Sequence, residues 1–301
     1  MQKYPSFPAG FTLIELSIVL TIIGLIVGGI LVGQNLINAA AVRAQISQIE
    51  KYQTAVNTFR NKYNALPGDM NSQTAAQFGF ARRGSPVQGY TAGMGDGNGL
   101  IEGSYNSGCG NCNNGSQALG EPSLFWNDLT YANGMNIGLI EGSFSITSTL
   151  SSWPATAFPN PSISPPAIDA WLPEGKIGQG NYVYVWSVNG VNYFGLSAIY
   201  KYAMSSNAGL TVAQAYAIDS KVDDGLPQSG GVQAFYIPTS YWAWAMNSFQ
   251  THGYGGASPG TAANGSSTSC YDNGGNANNL MQYSVSQKTS NLNCALSFRF
   301  Q

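Results

Sequence analysis

The chain has 301 residues, enough for one large domain or two small ones. Charged residues make up only 9%, 12 basic against 14 acidic with a net charge of −2, so no basic surface is on offer for a phosphate backbone and nucleic acid is not expected as a partner. Aromatics at 12% exclude a disordered chain, while the single histidine, His252, excludes histidine-rich metal sites and leaves a serine hydrolase one base at most.

Ten residues, Met1–Gly10, precede an apolar run of 23, Phe11–Gly33, whose one charge is Glu15. At about 1.5 Å per residue this run would be roughly 34 Å long as a helix, enough to cross a hydrocarbon core of about 30 Å. An ordinary secretory signal would have a basic start, a shorter run without carboxylates and a small-residue cleavage site, for which Ala39–Ala41 is the candidate. Length and Glu15 speak against it, because a charge at mid-membrane costs about 2.5–3.5 kcal/mol by insertion scales. A carboxylate kept there is expected to have a partner.

Gly10, Phe11 and Glu15, in G-FTLIEL, closely resemble the class III leader of type IV prepilins and type II secretion pseudopilins. In that family a prepilin peptidase cuts after the glycine and N-methylates the new first residue, which here would be Phe11. The glutamate then faces the terminal amine of a neighbouring subunit. The resemblance implies that Glu15 sets subunit register, since two desolvated opposite charges lower each other's cost and reject unpaired alignments. It also implies a single-pass inner-membrane precursor. The assembly machinery would build it into a homo-oligomeric helical filament, either an extracellular pilus for adhesion, motility or uptake or a periplasmic pseudopilus. Within the architecture the alternative is a minor pilin or pseudopilin with a binding head. Outside it, an exported enzyme or lectin would begin near Val42.

Beyond Gly33 the apolar residues Val42, Ile46, Ile49, Tyr52, Val56, Phe59 and Tyr63 recur with a period of 3.5, one stripe of an amphipathic helix. Arg43, Gln45, Gln48, Lys51, Asn57 and Lys62 lie off it, on faces expected to meet water. The helix is expected to run from Phe11 to about Asn64 and to stop before Pro67, because the residue preceding a proline is pushed out of helical geometry. The resulting organisation is a leader at 1–10, an apolar helix at 11–33, an amphipathic spine at 34–65 and a globular head at 66–301.

In the head, LPGDMNSQTAAQFGF, GDGNGLIEG and EPSLFWNDLTYANGM resemble a layout that recurs among prepilin-type proteins. A second helix is expected from Pro122, well placed at a first helical position, to about Asn133. Prolines from Pro154 to Pro173, within a serine-rich stretch from about Ser143 to Gly180, mark a long surface loop or a hinge between subdomains. Asn181–Tyr200 reads as a hairpin turning at Asn189-Gly190, with Val183, Val185 and Ser187 on one face and Tyr182, Tyr184, Trp186 and Val188 on the other, both covered. Further strands are expected at 232–237, 280–286 and 294–300. The fold class is α+β, a long N-terminal helix packed on an antiparallel sheet, pilin-like in part by resemblance.

Asp96, Asn98 and Glu102, with the Leu100 carbonyl, are spaced on a glycine-rich loop as oxygen ligands of calcium would be, although the EF-hand's twelfth-position glutamate is missing. Asp219, Asp223 and Asp224 form a second acidic knot after a short helix that opens on a capping box, Thr211 with Gln214. The competing reading of both is a turn whose aspartates cap backbone amides. Calcium is therefore the one cofactor expected. The four cysteines, Cys109, Cys112, Cys270 and Cys294, in an exported chain point to disulfides, with three pairings open. The pilin resemblance implies Cys270 with Cys294 around a C-terminal loop, leaving Cys109 and Cys112 to pin a turn. His252 lies in a loop-like stretch, no hydrolase, zinc-protease or P-loop motif occurs, and no catalysis is expected. Arg82-Arg83 is expected on solvated surface.

Overall fold

The structure, a computed structural model, describes residues 12–81, 83, 95–101, 121–132, 135–144, 167–188, 190–199, 206–235, 270–273, 276, 278–285 and 291–301. Two compact units divide the chain, residues 1–41 and 42–301. Helix α1, Leu13–Tyr63, contributes to each. No proline interrupts it, and it ends where Asn64 turns left-handed, φ 52°, a conformation asparagine tolerates.

In the first unit α1 exposes large apolar side chains all round. Every leucine, isoleucine and valine from Leu13 to Ile37 is at least 50% exposed. Roughly 1.5–3 kcal/mol is gained for each such side chain taken out of water, so the segment carries tens of kcal/mol of unspent burial.

In the second unit the stripe expected to face the head is buried. Val42, Ile49, Tyr52, Val56, Phe59 and Tyr63 are all inside, and Ile46 is half-buried. Gln45 and Gln48 depart from expectation, being buried rather than wet. The Oε1 atoms of Gln45 and Gln48 accept from the backbone N–H groups of Ile177 and Lys176, both at 3.0 Å, and Gln48 Nε2 donates to the Glu174 carbonyl at 2.8 Å. The two amides thus act as a strand partner for segment 174–177, which is why polar side chains are stable there.

Leu66–Met70 then crosses the interior, all five residues buried. Helix α2, Ser72–Phe78, follows, capped by Asn71 and stopped by left-handed Gly79. Helix α3, Pro122–Thr130, starts on its proline as expected but ends three residues early. Tyr131 turns extended, and β1, Tyr131–Ala132, pairs with β2, Met135–Asn136, so strand pairing takes the place of the last helical turn expected. Arg83 overturns the expectation of a solvated side chain. It is buried and donates from Nη1 and Nη2 to both oxygens of Asp128 on α3, at 3.1 and 2.7 Å, and from Nε to the Met70 carbonyl. Gly68 N–H donates to the same carboxylate at 2.7 Å. Fork geometry with further bonds from Arg83 to the Met70 and Ala81 carbonyls makes such a pair tolerable inside a protein.

The sheet is antiparallel. Strand β3, Asn181–Val188, pairs with β4, Val191–Ile199, with Val188 opposite Val191, and Gly190 at φ 76° completes the two-residue turn read from the sequence. Short β5, Ser206–Asn207, also pairs with β4, and β6, Leu210–Thr211, leads into α4, Val212–Val222. Strand β7, Val232–Phe235, is followed by β8, Tyr271–Asp272, and β9, Gln282–Tyr283, which pair with each other. The last strand, β10, Leu292–Arg299, lies between β4 and β7 and also pairs with β6. Residues 181–187 are buried on both faces, as expected. One face packs Phe194 against Tyr52 of α1 and Phe125 and Trp126 of α3. On the other, the Tyr184 ring covers Gly195 so closely that a Cβ there would lie 2.2 Å from it. The prolines from Pro154 to Pro166 and His252 lie outside the described residues.

Candidate functional site

Gly10 and Phe11, the residues expected at the processing point, lie outside the described residues. The description begins with Thr12, immediately before the first turn of α1. Thr12 Oγ1 accepts from the Glu15 N–H at 3.3 Å and donates to Glu15 Oε2 at 2.8 Å, while the Thr12 N–H donates to the same oxygen at 2.8 Å. This is a reciprocal capping box, in which N-cap and N3 residues satisfy each other's backbone donors. The carboxylate that the sequence left in need of a partner therefore has one in its own chain. The signal, Thr-x-x-Glu before an apolar run, is present in FTLIEL. The cap is an addition to the expected pairing of Glu15 with a neighbour.

The Asp96 loop comes together differently from its sequence spacing. Asp96 meets Asp69 and Glu121, one carboxylate oxygen of each lying within 4.8 Å of the others. Asp69 comes from the Leu66–Met70 crossing and Glu121 from the residue before α3, and no spacing in sequence could have joined them. Both are buried. Asp69 accepts from the N–H groups of Gly97 and Gly99, both at 2.8 Å, and Glu121 from Gly95 at 2.8 Å. Gly95, Gly97 and Gly99 all have φ between 72° and 86°, and a Cβ on Gly95 would lie 2.5 Å from the Met70 carbonyl, so the loop needs glycine there. Asn98 Oδ1 accepts from the Leu100 N–H, and Glu102 lies outside the described residues. Burial pushes the Asp69 carboxyl up to about 6 against the lowering effect of the Gly99 and Gly97 N–H groups, and the Asp96 charge adds to the rise.

Asp219, Asp223 and Asp224 do converge, again within 4.8 Å. Asp219, buried on α4, accepts from the Tyr283 hydroxyl at 2.7 Å and the Gly225 N–H at 3.2 Å. Asp223 accepts from the N–H groups of Gly231 and Val232, and Asp224 from Leu226 N–H and the Ser229 hydroxyl. Burial raises Asp219 to about 6, with the charges of Asp224 and Asp223 adding to it. The Thr211–Gln214 capping box that starts α4 is formed as read. Each cluster presents hard oxygen donors suited to calcium, and each is also held by backbone N–H groups, which is the capping role.

Cys270 and Cys294 form a disulfide with both residues fully buried, joining the entry to β8 to the first half of β10. Cys109 and Cys112 lie outside the described residues.

Fold and N-terminus together define a class, an α+β protein with a long N-terminal helix whose apolar half is long enough to cross a membrane and is compatible with an anchor. Residues 8–31 match the family model described as the prokaryotic N-terminal methylation motif, the prepilin-type signal, which supports a prepilin-processed protein of the type IV pilin or pseudopilin kind. No curated protein and no solved structure matches the chain.

Proposed function

We propose that the protein is a structural subunit of a type IV pilus-like filament, inserted in the inner membrane, cut after Gly10, methylated at Phe11 and assembled through its N-terminal helix, with no catalytic turnover. The observation that carries this reading is the match of residues 8–31 to the methylation motif on a helix whose apolar side chains are exposed all round. Membrane lipid covers that surface first and neighbouring helices cover it afterwards, so assembly exchanges one apolar environment for another. Packing and pairing of Glu15 with a neighbour's terminal amine then decide the register. N-terminal sequencing with intact mass on protein from sheared filaments and from membranes tests it. The expected start is a methylated Phe11. A product that keeps its first ten residues, or begins near Val42, refutes it. Glu15→Ala is expected to be cut normally and to form no filaments, and normal filaments from that variant would remove Glu15 from the assembly step.

Calcium in the head is the accompanying reading, favoured by the two sets of converging carboxylates. A divalent ion would stabilise like charges held close together. Adding calcium to chelator-treated protein is expected to raise the melting temperature, and an unchanged temperature with no metal detected by elemental analysis would reject it.

A further inference from the structure

The assembly step as read so far gives Glu15 one partner, on another molecule, yet in the structure its carboxylate is already oriented by its own chain. Three hydrogen bonds join residues 12 and 15, and two of them, from the Thr12 N–H and hydroxyl, end on the single oxygen Oε2 at 2.8 Å. Among the described residues no donor meets Oε1. A glutamate otherwise has a long, rotamer-rich side chain. Here it is fixed at the first turn, with one oxygen filled and the other presented outward. Threonine suits the task because its β-branch stiffens χ1 while the hydroxyl accepts and donates at once.

We propose that Thr12 is a positioning residue for assembly. It holds Glu15 by Oε2 so that Oε1 is presented to the terminal ammonium of the neighbouring subunit, and it keeps the carboxylate partly satisfied while the subunit waits in the membrane. This rests on the reading of Glu15 as the pairing residue given above. It adds that the pairing is prepared inside each subunit before two subunits meet, and that the threonine hydroxyl does the preparing. Thr12 is therefore more than a helix cap.

The test uses the full-length chain expressed with its peptidase and assembly machinery, with N-terminal processing and filament yield read separately. Thr12→Ser keeps both the cap and the hydroxyl donor. Thr12→Asn keeps a strong cap but removes the hydroxyl, and Thr12→Val removes both. All three are expected to be cut after Gly10. Serine is expected to keep filament yield near the parent level, and asparagine and valine to lower it about tenfold or more, the size of losing a hydrogen bond to a charged group. Parent-level filaments from the asparagine variant would reduce Thr12 to a cap and overturn the proposal. So would normal assembly of the valine variant, or failure of the asparagine and valine variants at the cutting step. If the parent protein itself is not cut after Gly10, or if Glu15→Ala assembles normally, the underlying reading fails instead, and that result is visible without any Thr12 variant.

Discussion

Single residues in this protein carry opposite kinds of carboxylate. Exposed Asp224 has its carboxyl held below the usual range by the Ser229 hydroxyl and the Leu226 N–H, whereas Asp69 and Asp219 are raised to about 6 by burial. A carboxyl whose native pKa lies above its unfolded value near 3.8 binds its proton more tightly when folded. Its contribution to stability is thus fully present below about 3.8 and is lost as pH rises through about 6. In the presence of chelator, acidification from pH 7 to 5 is accordingly expected to raise the melting temperature of the parent relative to Asp69→Asn and Asp219→Asn, whose profiles should be flatter. With calcium added the comparison should reverse, because protons and the ion compete for the same oxygens. A parent profile parallel to both asparagine variants would show that burial does not perturb these groups. Asp96 with Asn98 was legible as a turn of oxygen donors, but Asp69 and Glu121 were not. They reach the loop only through tertiary folding, and an isolated acid carries no local signature of a partner some 30 residues away.

Among the elements, those governed by short-range rules were readable. The helical stripe, the capping box on α4 and the Val188–Val191 turn follow from periodicity and turn chemistry alone. What was not readable was the use of polar side chains to complete a backbone ladder. Gln45 and Gln48 sit at positions that binary patterning assigns to water, and their partners lie 132 and 126 to 128 residues away. Arg83 is similar, a charge recoverable as buried only once Asp128 is known to stand opposite. Gln45→Ala and Gln48→Ala are each expected to destabilise residues 42–301 by about 1–3 kcal/mol, the cost of leaving buried backbone groups unbonded, whereas the exposed Lys51→Ala should stay within about 0.5 kcal/mol. Urea unfolding followed by tryptophan fluorescence measures this, and equal effects for all three would mean that water replaces the glutamines.

At the scale of the whole molecule, the buried Cys270–Cys294 bridge closes a stretch with a sequence separation of 24. Chain-entropy arguments assign a loop of that size about 3 kcal/mol. Replacing both cysteines with alanine is expected to lower unfolding stability by about that amount while β10 keeps its place, since its ladders to β4 and β7 do not depend on the sulfur atoms. A variant as stable as the parent would show that the bridge adds no net stability and would overturn the chain-entropy estimate for this loop.

Strand order adds a consequence for biogenesis. Because β10 follows every other described strand and lies between β4 and β7, these two have no common neighbour among the described residues until Leu292–Arg299 arrives. A product that stops short of Leu292 leaves two open edges where the fold has one seam, and open edges invite pairing with other chains. The seam of the sheet is therefore sealed only once Leu292–Arg299 has docked between its two neighbours.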